Sequence, residues 1–124
     1  MRKFVSFGLF LAVASAAPAQ PAAVSIELSN FKFAPNPIQL KAGAPITLHL
    51  QNTASGGHSF SAPEFFAAAR IEPRSAALIH DGKVEVPANR AVDVALVPAA
   101  GSYKLKCSHA FHSTFGMKGT IVVR

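Results

Sequence analysis

In 124 residues this chain has no tryptophan, one tyrosine and one cysteine, and charged side chains make up only 15% of it. Each shortage excludes something. A lone cysteine, Cys107, cannot close a disulfide within the chain, so no disulfide framework holds the fold together. The lysines and arginines are scattered, without the basic runs or interleaved aromatics of a nucleic-acid groove, and nucleic acid is not an expected partner. One long apolar run exists, the 14 residues from Phe4 to Ala17. It falls short of the roughly 20 residues that span a bilayer as a helix, so stable membrane insertion is not expected either. No paired carboxylates or Ser/His/Asp pattern can be read, and no helix follows the glycines of "SGGHS" as a phosphate-binding loop would need. Nothing marks the chain as an enzyme.

The start of the chain, "MRKFVSFGLFLAVASAAPAQ", joins two basic residues, the apolar run and an Ala-x-Ala match at Ala17 and Ala19. This is the pattern of a secretory signal peptide, with cleavage expected near Ala19. The expected division is residues 1–19 as the leader and 20–124 as one domain, exported and, in a bacterium, periplasmic. Loss of Arg2 and Lys3 would lower the formal charge from +6 to +4, leaving ten basic against six acidic side chains. That surplus favours an acidic partner.

Past the leader, apolar residues recur at every second position. "VSIELSN" places Val24, Ile26 and Leu28 on one side, "ITLHLQN" does the same with Ile46, Leu48 and Leu50, and Val92, Val94 and Leu96 repeat it. Pro35, Pro37, Gly43 and Pro45 break the runs into short strands. Only "EFFAAARI" suggests a short helical excursion. Seven or eight strands with almost no helical periodicity predict an all-β sandwich or barrel, in which loops from distant parts of the chain meet at one end.

One loop concentrates unusual chemistry. "CSHAFHSTFGM" holds Cys107, His109, His112 and Met117, with four residues between Cys107 and His112 and four between His112 and Met117. In an exported protein a lone cysteine is an inert buried thiol, half of an intermolecular bridge, or a metal-bound thiolate. Its neighbours favour the metal. A thiolate, two imidazoles and a more distant thioether form the ligand set of a blue-copper centre, in which the soft thiolate stabilises Cu(I), imidazole suits both oxidation states and the weak thioether tunes the potential. His58 in "GGHSF" is the candidate for the second imidazole, standing in what reads as a flexible loop. His49 and His80 read as surface residues, and Asn52 either ties the ligand loops together or caps a turn.

With these residues in order the chain resembles the cupredoxin family over nearly all of its length after the leader. "FKFAPNPIQLKAGAPITLHLQNT" is similar to the family's amino-terminal strands, "GHSF" to its first histidine motif, and the segment from Val84 to Val123 to its closing strands and ligand loop. The resemblance implies a Greek-key β-sandwich holding one type 1 copper ion, with His58, Cys107, His112 and Met117 as ligands. His109 competes with His112; His112 is favoured because a Cys-x-His chelate demands a much tighter loop, which leaves His109 as a solvent-facing or supporting neighbour. The implied function is a soluble, monomeric one-electron carrier that gives up its electron through His112, bordered by Ala110, Phe111 and Phe115. Its expected partners are redox proteins such as an acidic cytochrome, oxidase or reductase. The alternative is a copper chaperone or scavenger using the same four side chains.

Overall fold

The structure is a computed structural model and describes residues 3–12, 21–109, 112 and 115–124. The Ala17/Ala19 junction, Ala110 and Phe111 lie outside the described residues. Residues 3–12 form no helix or strand, and Phe4, Phe7 and Phe10 are all more than 90% exposed. No helix among the described residues is long and apolar enough to cross a membrane.

Among the described residues ten strands form two sheets of five. In one sheet β1 (Ala22–Ser29) and β4 (Ile46–Asn52) lie side by side, flanked by β2 (Lys32–Ala34), β8 (Ala91–Val97) and β6 (Arg70–Ile71), in the order β2-β1-β4-β8-β6. The other runs β3 (Ile38–Leu40), β10 (Lys118–Val123), β9 (Gly101–Lys106), β5 (His58–Ser61), β7 (Lys83–Val86). Most neighbours are not consecutive in the chain, because connections cross between the sheets in Greek-key fashion. The count exceeds seven or eight because β2, β3 and β6 are only three, three and two residues long. Runs that short carry no two-residue period of their own and are defined by their partners.

Alternation fixes which side each strand buries. In β4, Ile46, Leu48, Leu50 and Asn52 are buried while Thr47, His49 and Gln51 are half-exposed, as a strand with one face on the core requires. His49 sits on the outer side as expected, its Nδ1 2.6 Å from Asp93 Oδ1, and His80 is exposed. Phe60 lies at the centre of the core with no exposed surface, edge-on to Phe33 and Phe66 with ring centroids 6.0 and 5.9 Å away. Truncating a phenylalanine in such a place costs about 3–5 kcal/mol.

The expected helical excursion is α1 (Pro63–Ala68), which starts on a proline whose missing N–H would have no partner in a first turn. It buries Phe65 and Phe66 and closes one side of the sandwich. A second helical turn, α2 (Pro73–Ala76), has no apolar period and was not foreseen; Ser75 anchors it by accepting the Ala95 N–H at 2.9 Å.

Candidate metal centre

Three strands of one sheet end together, and the candidate residues sit at those ends. Cys107 directly follows β9 and Met117 directly precedes β10. The antiparallel ladder pairing Lys106 with Lys118 extends one rung further, where the Cys107 N–H donates to the Met117 carbonyl at 3.0 Å. Between them the chain doubles back on two backbone bonds: Met117 N–H to the His112 carbonyl at 2.9 Å, and His112 N–H to the His109 carbonyl at 3.2 Å. The fourth candidate comes from the neighbouring strand. His58 is the first residue of β5 and pairs with Val86, so the flexible-loop reading of this residue is corrected. Its partner strand lies 28 residues downstream, beyond the reach of any local pattern.

The donors converge. His58 Nδ1 lies 3.1 Å from His112 Nδ1 and 3.9 Å from Cys107 Sγ, and Cys107 Sγ lies 3.3 Å from His112 Nδ1. Cys107 and Met117 are completely buried, His58 is 3% exposed and His112 is half-buried. Burial first, then the nearby His112 and His109, holds the His58 pKa below the ordinary histidine value of 6.5. The imidazole is thereby kept neutral, the form that carries a free lone pair.

His109 has a different place. Its Nε2 lies 2.7 Å from Glu85 Oε2 and its ring stacks on His112, with centroids 5.4 Å apart and 29° between planes. It lies beside the triangle of donors formed by His58, Cys107 and His112. Asn52, fully buried, caps the 54–56 turn ahead of His58 and reaches across to β7, with no bond to the Cys107–Met117 loop among the described residues: Nδ2 donates to the Gly56 and Val86 carbonyls at 2.9 and 3.0 Å, and Oδ1 accepts the Ala54 N–H at 2.9 Å.

Two contributors were missed. The buried Ser59 donates its backbone N–H to Cys107 Sγ at 3.4 Å, while its hydroxyl accepts the Ser108 N–H at 2.8 Å and lies 3.8 Å from the same sulfur. The available signal was its position, a small polar residue between His58 and Phe60. Phe31 occupies the turn between β1 and β2 with φ of 60°, a region that bulky residues rarely adopt, and sets its ring edge-on to His112 at 5.4 Å. Phe115 stands 5.7 Å from Phe31, and both are exposed, at 66% and 43%.

The cupredoxin-like domain family matches residues 3–123. The chain belongs to the cupredoxin-like family. Among solved structures this cupredoxin is similar to auracyanin B, with 22% identity and a TM-score of 0.62 over 90% of this chain and 95% of that one. It is similar also to dithionite-reduced auracyanin from Roseiflexus castenholzii, with 16% identity and a TM-score of 0.61 over 86% and 99%. A multicopper oxidase from Campylobacter jejuni, a metallo-oxidase, matches at 11% identity and a TM-score of 0.62 over 98% of this chain but 34% of its own. At such identities the likeness is one of fold. No curated protein sequence matches the chain.

The cofactor of this cupredoxin is one type 1 copper ion, and the donor set fits it. Donors sharing one ion at bond lengths of roughly 2.0–2.3 Å in a trigonal arrangement lie roughly 3.5–3.8 Å apart, close to the spacings of the His58, His112 and Cys107 atoms. Three lone-pair atoms facing one another in a buried pocket repel unless a cation or a shared proton lies between them. The soft sulfur and the two imidazoles favour copper over magnesium or calcium.

Proposed function

We propose that this cupredoxin is an exported, soluble one-electron carrier that holds copper through His58, Cys107, His112 and Met117. The observation that carries the reading is the convergence of His58 Nδ1, His112 Nδ1 and Cys107 Sγ within 3.9 Å of one another at the end of a rigid sheet. When bound there, copper supplies a Cu(II)/Cu(I) couple.

The chain's own residues then have separable roles. His58, set in a strand and nearly buried, and Cys107, tied through the Met117 carbonyl to the β9–β10 ladder, hold their donors at fixed spacing. A site that moves little between oxidation states exchanges electrons with little reorganisation. The Ser59 N–H partly neutralises the sulfur charge. Met117 is buried directly beside the triangle's backbone and supplies the weak fourth ligand. His112, half-buried and edge-on to the exposed ring of Phe31, which in turn meets the exposed ring of Phe115, is the point of electron exit. Small apolar rims of this kind suit the brief encounters of redox proteins.

Export of residues 20–124 after removal of 1–19 is supported by the leader pattern and by an apolar segment, residues 3–12, that stays exposed and outside the core. A carrier role in place of catalysis is supported by similarity over 95% of auracyanin B, against only 34% of the oxidase.

Copper delivery would use the same donors, and one experiment separates the two. The Cu(I)-loaded protein is mixed with an excess of a Cu(I) chelator, and in parallel with a one-electron oxidant. A carrier keeps its metal for hours and reacts with the oxidant within milliseconds to seconds. Rapid surrender of copper with slow oxidation would overturn the carrier reading in favour of delivery.

A further inference from the structure

Lysines that look scattered in the sequence are gathered by the fold. Lys106 in β9 stands directly opposite Lys118 in β10, and Lys104 opposite Thr120, with Lys104 and Lys106 on one face of the strand. Across β5, Ser61 pairs with Lys106 on one side and Lys83 on the other, which brings a fourth lysine to the same face. Lys104, Lys106 and Lys118 line a cleft of about 830 Å³ that Glu64 also lines, and Asn36 sits beside Lys118, its Nδ2 donating to the Lys118 carbonyl at 3.2 Å. All three are exposed, and none has a carboxylate within 4 Å among the described residues.

A directly opposed pair of like charges weakens a sheet, and an opposite-charge pair at Lys106 and Lys118 would strengthen it. Protection of a sheet edge does not explain the pair, since β9 and β10 are interior strands of their sheet. Position suggests another reason. Lys106 and Lys118 immediately flank Cys107 and Met117, one rung from the candidate copper ligands.

We infer that this cleft is the docking site for the acidic face of a redox protein partner, whose carboxylates pair with Lys104, Lys106 and Lys118. The inference rests on the electron-carrier reading for the partner's redox nature, and on the cleft alone for its acidity. Nucleic acid is disfavoured because no aromatic side chain among the described residues lines the cleft to stack a base, and because Glu64 opposes a phosphate chain. Glu64 instead offers one pairing of opposite sign that fixes the partner's orientation.

The test is a titration of the ¹⁵N-labelled protein with a hexaglutamate peptide at low ionic strength, in the metal-free and Cu(I)-loaded forms. Amide shifts should concentrate on residues 104–106 and 118–120 and fade above about 0.2 M salt. K104Q/K106Q/K118Q should weaken binding about tenfold, from modest losses at each of three exposed pairs. K41Q/R70Q/R124Q, which removes the same charge from other surfaces, should weaken it less than about twofold. Equal losses in the two triple variants, or shifts centred elsewhere, would overturn the inference. So would an oligonucleotide of equal charge that binds the same residues as tightly. Because the shifts are read without metal, a protein lacking a thiolate–copper band would refute the electron carrier and leave this result standing, and the converse also holds.

Discussion

Asn52→Ala tests how the site is held. Asn52 ends β4 in one sheet, and its side chain reaches Val86 in the other sheet and the 54–56 turn that leads to His58. Its removal breaks three hydrogen bonds of 2.9–3.0 Å and leaves two carbonyls and one N–H to find other partners in a buried region. With a net worth of about 1 kcal/mol for each bond, the expected loss is about 3 kcal/mol. For a domain of this size about 1 kcal/mol moves the melting temperature by roughly 4–8 °C, so a fall of about 12–24 °C is expected. Thermal unfolding of the metal-free protein by circular dichroism measures this without involving copper. Asn52→Asp retains the acceptor bond to Ala54 but sets a buried carboxylate against the Gly56 and Val86 carbonyls, so at neutral pH it should destabilise at least as much as Asn52→Ala. A drop below about 4 °C for Asn52→Ala would refute the claim that this side chain clamps the sheets.

Two further predictions concern the ligand shell. Ser59→Ala keeps the backbone N–H to Cys107 but removes the hydroxyl near the sulfur, and with it the bond from the Ser108 N–H. The thiolate becomes a stronger donor to Cu(II), and the reduction potential should fall by about 40 mV for each 1 kcal/mol of lost hydrogen bonding, readable by voltammetry; an unchanged or higher potential would contradict this role. The second concerns pH. The His58 pKa is lowered in the folded chain, chiefly by burial, so the folded form binds its proton less readily than the unfolded form. Stability from this source is complete above about pH 6.5 and is lost as pH falls through the folded pKa. The melting temperature of the metal-free protein should therefore decline from pH 7.5 to pH 5, less steeply in His58→Gln, and equal slopes would remove His58 as the cause.

The sandwich was legible because its long strands alternate: β1, β4 and β8 bury the side chains their sequence period indicates, and the "EFFAAARI" segment did yield a helix. Three of the candidate ligands, Cys107, His112 and Met117, were legible because sulfur and imidazole are rare here and cluster in one loop, and they pointed to His58 upstream as the fourth. What failed to show in the sequence depends on register. His58 is a strand residue only because Val86 lies opposite it, and Lys106 meets Lys118 only when β9 and β10 are aligned. His109 finds Glu85 across 24 residues, and Phe31 reaches His112 through a left-handed turn conformation that no side-chain pattern announces. Ser59 was in plain view within "GHSF", yet its bond to the sulfur follows from the fold.

The central claim is that Cys107 and His112, and not His109, bind copper. It is tested most directly by visible and paramagnetic resonance spectra of the Cu(II)-loaded protein beside its Cys107→Ser, His112→Ala and His109→Ala variants. The account predicts an intense thiolate-to-copper band with narrow copper hyperfine splitting, lost in Cys107→Ser, lost or strongly altered in His112→Ala, and retained in His109→Ala. Weak d–d absorption that is indifferent to Cys107→Ser, or a band abolished by His109→Ala and untouched by His112→Ala, would contradict it.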